Sequence, residues 1–213
     1  MNDGSLLAYL IYLLLSLVLI FWASTRSTSS AISPPTEKMP LNPANFPRPP
    51  LLERVSRHLV VKWPSGQVIA DTKNAFWVLE THHPPSMSYP LFLLSTGLIT
   101  LFSAYYIPPS DVVIPLTKTP RSTYCEWKGR ATYFSVPAPE DRSSKAVENR
   151  AWCYESPTPG FKDIKDYVSF YAGPWDCYVD GEKVEAQPGD FYGGWKTSDI
   201  VGKIKGAPGT LGW

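Results

Sequence analysis

Two ionisable residues, Glu80 and His83, open the stretch of this sequence that is richest in chemically useful side chains. They are three residues apart, so at the end of a helical turn they would share one face. A carboxylate beside an imidazole orients the ring and raises its basicity, which suits a general base. The alternative is structural: His83 caps the turn before Pro84 and Pro85, and Glu80 binds backbone amides.

A second set of candidates lies in the segment TYCEWKG, which contains Cys125, Trp127 and Lys128. Strand alternation would place Cys125 and Trp127 on one face. Cys125 would be a nucleophile if Lys128 or His83 lowered the pKa of its thiol. The alternative is that Cys125 is a small buried apolar side chain, the usual state of a cysteine within a strand.

Several aromatic and polar residues accompany these candidates. Tyr106 joins Glu80, His83, Cys125 and Lys128 as a candidate for acid–base chemistry. We expect most of the aromatic side chains to form core and a minority to line a cleft for a flat or apolar ligand. The candidate ligand-binding residues are Tyr105, Asp111, Trp127, Tyr133, Trp152 and Tyr171.

The cysteine and histidine pattern argues against a metal. No two of the three cysteines, Cys125, Cys153 and Cys177, have the C-x-x-C spacing of a zinc knuckle, and the adjacent His82 and His83 do not easily share one ion. We expect no metal and no cofactor. Three cysteines are also too few for a disulfide framework, so we expect free thiols, with one bridge as the alternative.

Length and composition bound the fold. The chain has 213 residues, enough for one domain with appendages, and its net charge of +1 includes no long basic run. Nucleic-acid binding needs clustered Lys and Arg, so we expect no nucleic-acid partner. With 22 prolines and 14% aromatic residues, short strands joined by rigid loops are favoured over a helical bundle.

Local patterns refine this expectation. Residues 57–63 and 68–72 flank a glycine-containing turn and predict a hairpin, and Asp180–Gly181 predicts another. The segment KNAFWVLET has the spacing of a short helix, although a strand is possible. The last 25 residues hold seven of the 14 glycines and predict an irregular tail with close backbone approaches. The fold class predicted for residues 51–213 is mainly β, a small antiparallel domain with one or two short helices.

The N-terminal part of the chain differs in character. After a short tail at residues 1–5, residues 6–23 form an uncharged apolar run of 18 residues, near the lower limit for a transmembrane helix. Residues 24–50 are rich in Ser, Thr and Pro and predict an extended tether. Because Asp3 precedes the run and Arg26 follows it, we expect a single-pass membrane protein whose domain faces the cytoplasm. The alternative is a cleaved secretory signal, although no Lys or Arg precedes the run.

Short sequence blocks from Leu51 to the C-terminus resemble the domain-of-unknown-function family 427. These blocks are ADTKNAFWVLETHHPP, YYIPPSDV, LTKTPRSTYCEWKGRATYFSV, RAWCYESP, DYVSFYA and DFYGGW followed by KGAPGTLGW. The resemblance implies a tent-like domain in which two meandering sheets lean over a cleft. The family has been labelled nucleotidyltransferase-like, but the chain has no GxxxxGK[ST] phosphate loop and no obvious close pair of metal-binding carboxylates.

An apolar run, residues 86–104, interrupts one of these blocks. In proteins that the chain resembles, a single residue separates HPP from YYIP, whereas here 19 residues occupy that place. The run is short for a membrane span. Codons that are allowed for Ser-Met-Ser can contain a splice-donor sequence, and codons allowed for Phe-Ser-Ala can contain an acceptor. Joining the bases on either side of these two sites gives a threonine codon. We hypothesise that residues 86–104 are a retained intron. The alternative is a hydrophobic loop that covers the site or dips into the membrane.

Two functions are consistent with these residues. In the first, the domain is an enzyme that acts on a small organic molecule by acid–base chemistry at a cleft near His83. In the second, it is a non-catalytic module that binds an apolar metabolite or a partner protein at a membrane. Polar and aromatic residues in proline-rich loops motivate both.

Overall fold

A computed structural model describes residues 39–81, 105–189, 192–206 and 208–210. The chain divides into two units, Met1–Lys38 and Met39–Trp213, and the account below concerns the second. The predicted membrane helix at residues 6–23, the apolar run at 86–104 and His83 all lie outside the described residues. Within the described ranges, no helix is long and apolar enough to cross a membrane.

The described part of the domain is built from short strands. Their bounds are β1 Leu51–Val55, β2 Leu59–Lys62, β3 Val68–Thr72, β4 Ala75–Leu79, β5 Tyr105–Tyr106, β6 Thr117–Cys125, β7 Gly129–Val136, β8 Val147–Cys153, β9 Ser169–Phe170, β10 Asp176–Val179, β11 Glu182–Lys183, β12 Glu185–Ala186 and β13 Trp195–Lys196. The prediction of a mainly β fold is confirmed.

These strands form several sheets, where the family resemblance implied two. One four-stranded sheet has the order β11-β10-β2-β3, another runs β6-β7-β8-β9, a three-stranded sheet has the order β1-β4-β5, and β12 pairs with β13. All of these strand pairs are antiparallel. The number of sheets depends on distant pairings such as β10 with β2, which local sequence patterns do not reveal.

Both predicted hairpins are present. β2 and β3 pair around the turn that contains Gly66, and β10 and β11 pair around Asp180 and Gly181. Asp180 has φ of +53° and Gly181 has φ of +82°. Two consecutive left-handed residues are typical of the type I′ turn, whose twist matches that of the flanking strands.

The segment KNAFWVLET forms strand β4, so the helix that its spacing favoured is wrong and the strand alternative is correct. β4 is the middle strand between β1 and β5, and apolar side chains cover both of its faces. Phe76 and Val78 lie in one core, while Ala75 and Trp77 pack in another. A short strand buried on both faces has a continuous apolar sequence, which mimics a helical spacing.

Helical structure in the described residues is limited to short 3-10 turns at Pro43–Asn45, Pro109–Asp111 and Pro159–Ile164. Each begins at a proline, whose fixed φ suits the first helical position and whose missing N–H would lack a partner there anyway. These short turns agree with the expectation of few helices.

The compact unit begins at Met39, inside the segment that composition assigned to the tether. The Leu41 amide donates to the carbonyl of Asp199 over 2.7 Å, and the Val201 amide donates to the carbonyl of Leu41 over 2.9 Å. Thr81 also donates its hydroxyl to the carbonyl of Phe46. Backbone pairing with the C-terminal tail therefore orders residues whose composition alone favours an extended chain.

A buried ion pair attaches the C-terminal tail to the sheets. The Arg57 guanidinium donates to the Asp199 carboxylate, whose side chain is fully buried. Burial opposes ionisation of Asp199, but hydrogen bonds from Arg57 and Thr197 hold its pKa below the ordinary value. The Arg57 guanidinium also lies 5.4 Å from the centre of the Trp77 ring.

The predicted close approaches in the glycine-rich tail are present. Gly206 has φ of +118°, and a Cβ atom there would lie 2.0 Å from the carbonyl oxygen of Pro188. A side chain at this position would collide with backbone.

The described residues form two apolar cores, and the sheets β1-β4-β5 and β6-β7-β8-β9 contribute side chains to both of them. The first core contains Leu59, Val61, Trp63 and Ile69 of the β2–β3 hairpin. The second core, which we call the aromatic cluster, contains Phe76, Val78, Tyr106, Cys125, Ala131, Tyr133, Trp152, Tyr154, Phe161, Ile164 and Tyr171. All three cysteines are buried and free, which confirms the expectation of free thiols.

Candidate functional site

The aromatic cluster brings together candidate residues from five places in the sequence. Tyr106 comes from β5, Cys125 from the end of β6, Tyr133 from β7 and Trp152 from β8, and Tyr171 follows β9. Tyr133 and Trp152 are direct partners across the β7–β8 ladder, so their side chains stand on the same face. The antiparallel register thus converts distant sequence positions into one continuous surface.

Two tyrosine hydroxyls meet inside this cluster. The rings of Tyr106 and Tyr154 are 6.1 Å apart, and both residues are fully buried. The Trp152 indole N–H is also a neighbour of the Tyr106 hydroxyl. Neither phenol hydroxyl completes a hydrogen bond of normal geometry with any residue in the described part of the chain. A buried hydroxyl in that state costs about 1–3 kcal/mol.

Burial raises the pKa of both phenols well above the ordinary value. The nearby Cys125 thiol acts in the same direction on Tyr106 and Tyr154. The two hydroxyls therefore stay protonated at neutral pH and act as hydrogen-bond donors, not as bases. Donors that converge in a low-dielectric space can bind a carbonyl or carboxylate oxygen.

Cys125 and Lys128 stand at the two ends of the turn that joins β6 to β7. The Lys128 backbone amide donates to the Cys125 sulfur over 3.3 Å, and the turn closes at Gly129, which has φ of +94°. The Lys128 side chain is fully buried, with its ammonium 6.0 Å from the centre of the Tyr154 ring and 5.8 Å from that of Phe161. The ammonium thus lies among aromatic rings, at cation–π distance.

Trp127 lies in the same turn and packs half-buried against the aromatic cluster. Its carbonyl accepts a hydrogen bond from the Thr158 hydroxyl. Its indole nitrogen is buried and has no hydrogen-bond partner among the described residues. Trp127 therefore offers a further N–H donor where it packs against the aromatic cluster.

Tyr133, Trp152 and Tyr171 form the wall of the cluster on the β6–β9 sheet. The Tyr133 hydroxyl bonds the Thr123 hydroxyl over 3.1 Å, and the rings of Trp152 and Tyr171 meet edge-on at 4.9 Å. A Cβ atom on Gly193 would lie 2.6 Å from the Trp152 ring, so only glycine lets the tail lie this close. Burial raises the pKa of Tyr171 above the ordinary value.

Tyr105 and Asp111, both candidate ligand-binding residues, lie apart from the aromatic cluster. Tyr105 points to the opposite face of β5 from Tyr106, and its ring lies 6.1 Å from that of Trp77 in the first core. The Asp111 carboxylate accepts from the Thr72 hydroxyl over 2.5 Å. Because side chains alternate along a strand, the two adjacent tyrosines of β5 lie on opposite faces. Asp111 lies in a 3-10 turn and bonds Thr72 of β3, so it has a structural contact apart from the aromatic cluster.

Glu80 belongs to a different buried group. Its charge acts on Tyr192 and on Lys205, and all three residues are buried. Burial lowers the pKa of Lys205 to about 8, although Glu80 acts in the opposite direction. The Gln187 side chain donates to the Lys205 carbonyl over 2.8 Å. The pairing of Glu80 with His83 remains a prediction, because His83 lies outside the described residues.

Three charged residues at these sites were not among the candidates. Arg121 and Arg150 lie over the tyrosine rings of the aromatic cluster, and Lys205 lies beside Glu80. Arg121 stands two and four residues before Thr123 and Cys125 on one strand, so strand alternation could have indicated it. Lys205 is in the glycine-rich tail, and no local signal pairs it with Glu80. Across the described ranges, no group of three or more His, Cys, Asp or Glu is arranged to hold a metal.

Comparison with known proteins adds a family. No curated protein matches the chain. A family model described as Domain of unknown function (DUF427) matches residues 51–183, more than half of the 213-residue chain. The matched region contains Tyr106, Cys125, Lys128, Trp152 and Tyr154, while Gly193 and the tail follow it. This match confirms the resemblance, and the chain belongs to the DUF427 family.

Proposed function

We propose that the aromatic cluster binds a small organic molecule, and that the domain is a small-molecule binding module. The observation that carries this proposal is the convergence of the Tyr106 and Tyr154 hydroxyls, both buried and without a hydrogen bond of normal geometry to a described residue. A ligand oxygen that accepts from both would relieve their desolvation cost. The surrounding rings would hold the flat apolar body of such a ligand.

The donor character of the site favours binding over proton abstraction. Raised pKa values keep both phenols protonated, so they suit an acceptor such as a carbonyl oxygen. The buried Lys128 ammonium would add positive potential near the same oxygen. The preferred ligand is therefore a planar molecule with a carbonyl or carboxylate group.

A fragment screen tests the binding proposal. Ligand-observed NMR on the full-length protein compares planar fragments that carry a carbonyl with hydrocarbons of the same shape. We expect only the carbonyl fragments to bind, and binding to weaken about tenfold or more in the Tyr106→Phe/Tyr154→Phe double variant. Tyr178→Phe is the control, since Tyr178 lies in β10 and contacts Lys62 outside the cluster. Equal binding by the double variant would refute the proposal.

Catalysis at the same site is the second candidate function. The specific observation in its favour is the Cys125 sulfur, which accepts the Lys128 amide hydrogen next to the two phenols. The Cys125 thiol would add to a carbonyl carbon whose oxygen is held by the phenols: the C–S bond forms as the C–O double bond becomes single, and the thiol proton passes to that oxygen. A Cys125→Ser variant that binds fragments normally but loses metabolite turnover would favour catalysis, and unchanged metabolite profiles would eliminate this role for the thiol.

We also propose that residues 6–23 attach the domain to a membrane, with the domain facing the cytoplasm. The support is the uncharged apolar composition of this run and the arginine that follows it. Alkaline extraction of membranes tests it. The full chain should stay in the pellet and a chain that starts at Met39 should be released, whereas release of both would refute the anchor.

The retained-intron hypothesis for residues 86–104 is likewise a proposal. Its support in the fold is the register of β4 and β5, in which Trp77 pairs with Tyr105 and Phe76 with Tyr106. The chain thus returns to the neighbouring strand after the run, and a short loop would suffice to join antiparallel neighbours. Sequencing of mature transcripts across the junction decides the matter, and uniform retention would refute the hypothesis.

A further inference from the structure

Two arginines approach the aromatic cluster from the same face of the β6–β9 sheet. The Arg121 guanidinium carbon lies 4.7 Å from the centre of the Tyr133 ring, and that of Arg150 lies 5.0 Å from the centre of the Tyr171 ring. Arg150 stands two residues before Trp152 on β8, so the two side chains share a face. Arg121 is exposed and Arg150 is half-buried. Arg121 is therefore accessible to an anion from solvent.

Hydroxyl groups of the aromatic cluster lie beside this pair. Both arginines act on the Tyr171 phenol, whose pKa is nevertheless raised because of burial. The Thr123 and Tyr133 hydroxyls, 3.1 Å apart, stand on the same wall. Arg121 has no ion pair with any acidic side chain in the described part of the chain. Two cations thus converge on a polar aromatic surface, and at least one of them is not neutralised there.

We propose that Arg121 and Arg150 select an organic anion, and that the ligand of the aromatic cluster is a flat carboxylate. This inference rests on the binding function proposed above and names its ligand class. A guanidinium matches a carboxylate with two parallel N–H···O bonds, and it also stacks on aromatic faces, which holds it in position. The ring of an aryl carboxylate would lie against Tyr133 and Trp152. One of its carboxylate oxygens would accept from the buried phenols, and the other would face the two arginines.

A matched pair of probes separates charge from shape. Benzoate and benzamide have the same flat ring and the same carbonyl acceptor, and they differ in charge. We expect the full-length protein to bind benzoate about tenfold more tightly than benzamide, the factor that one charge-assisted contact supplies. Arg121→Gln should abolish this difference by weakening benzoate binding more than benzamide binding. Arg121→Lys should retain part of it, because lysine keeps the charge without the planar fork.

Arg130→Gln is the control variant, because Arg130 is an exposed arginine of the same sheet that bonds Ser122 away from the cluster. It should bind both probes as the wild type does. Equal binding of benzoate and benzamide by the wild type, or an unchanged preference in Arg121→Gln, would overturn the anion inference and leave the binding function intact. Failure of both probes to bind would count against the binding function and the inference together. Melting curves of each variant verify that it is folded.

Discussion

Replacing Tyr106 by phenylalanine removes a hydroxyl that the folded protein buries without a hydrogen bond of normal geometry to a described residue. Such a group costs about 1–3 kcal/mol of folding free energy. The neighbouring Tyr154 hydroxyl and Trp152 indole offset part of this cost, so the low end of that range applies. We expect Tyr106→Phe to raise the free energy of unfolding by about 1 kcal/mol.

Tyr133→Phe provides the matched comparison within the same cluster. Its ring is equally buried, but its hydroxyl bonds the Thr123 hydroxyl over 3.1 Å. Losing a satisfied hydrogen bond of this kind lowers the free energy of unfolding by about 1 kcal/mol. The two variants should therefore differ by about 2 kcal/mol, although the chemical change is identical. A tyrosine whose removal stabilises the fold is one whose hydroxyl serves something other than stability.

Urea unfolding of the full-length protein, followed by tryptophan fluorescence, measures both variants. With a denaturant dependence of about 2 kcal/mol per molar urea, the two midpoints should lie about 1 M apart on opposite sides of the wild type. If Tyr106→Phe destabilises the protein as much as Tyr133→Phe does, the Tyr106 hydroxyl is satisfied within the fold. The argument for a ligand at that hydroxyl would then fail.

Three further predictions concern stability. Asp199→Asn should lower the free energy of unfolding by about 2 kcal/mol, because it removes the buried charge that binds the partly buried Arg57 guanidinium and leaves it with the longer ion pair to Asp180. Glu155→Gln in an exposed pair should change the free energy of unfolding by less than about 1 kcal/mol in the same urea assay. Equal effects of the two substitutions would contradict this. Gly193→Ala should lower the free energy of unfolding by about 1–3 kcal/mol, because the added Cβ would collide with the Trp152 indole ring. Gly160→Ala is the control and should shift the melting temperature little, because open space surrounds Gly160. Similar shifts in melting temperature for the two variants would refute the close contact at Gly193. In the folded state Lys205 has a pKa of about 8, below the ordinary value of 10.5. Because the folded state loses this proton first, the free energy of unfolding should rise as the pH increases between those two values. Lys205→Met should flatten that rise when unfolding is measured as a function of pH, and an unchanged slope would contradict the lowered pKa of Lys205.

Local sequence patterns were a good guide wherever the partner strand was close in the chain. The β2–β3 and β10–β11 hairpins follow from β-branched runs and a left-handed Asp-Gly turn. Alternation along β6 likewise relates Arg121 to Cys125. The same rules favoured a helix for β4, because a strand covered on both faces carries no alternation to read. Its strand state depends on β1 and β5, which pair with it from either side.

For the candidate residues too, the sequence predicted some features and only the tertiary structure decided others. The sequence by itself determined the mainly β character, the two hairpins and the family motifs around Cys125 and Trp152, and it favoured free cysteines. Only the tertiary structure decided that Tyr106 faces the aromatic cluster while its neighbour Tyr105 faces the other core. It also separated Glu80 from Cys125 and set it beside Lys205 in the tail. The physical reason is that these contacts join residues far apart in the chain, and pairing between distant strands depends on how the sheets pack as a whole.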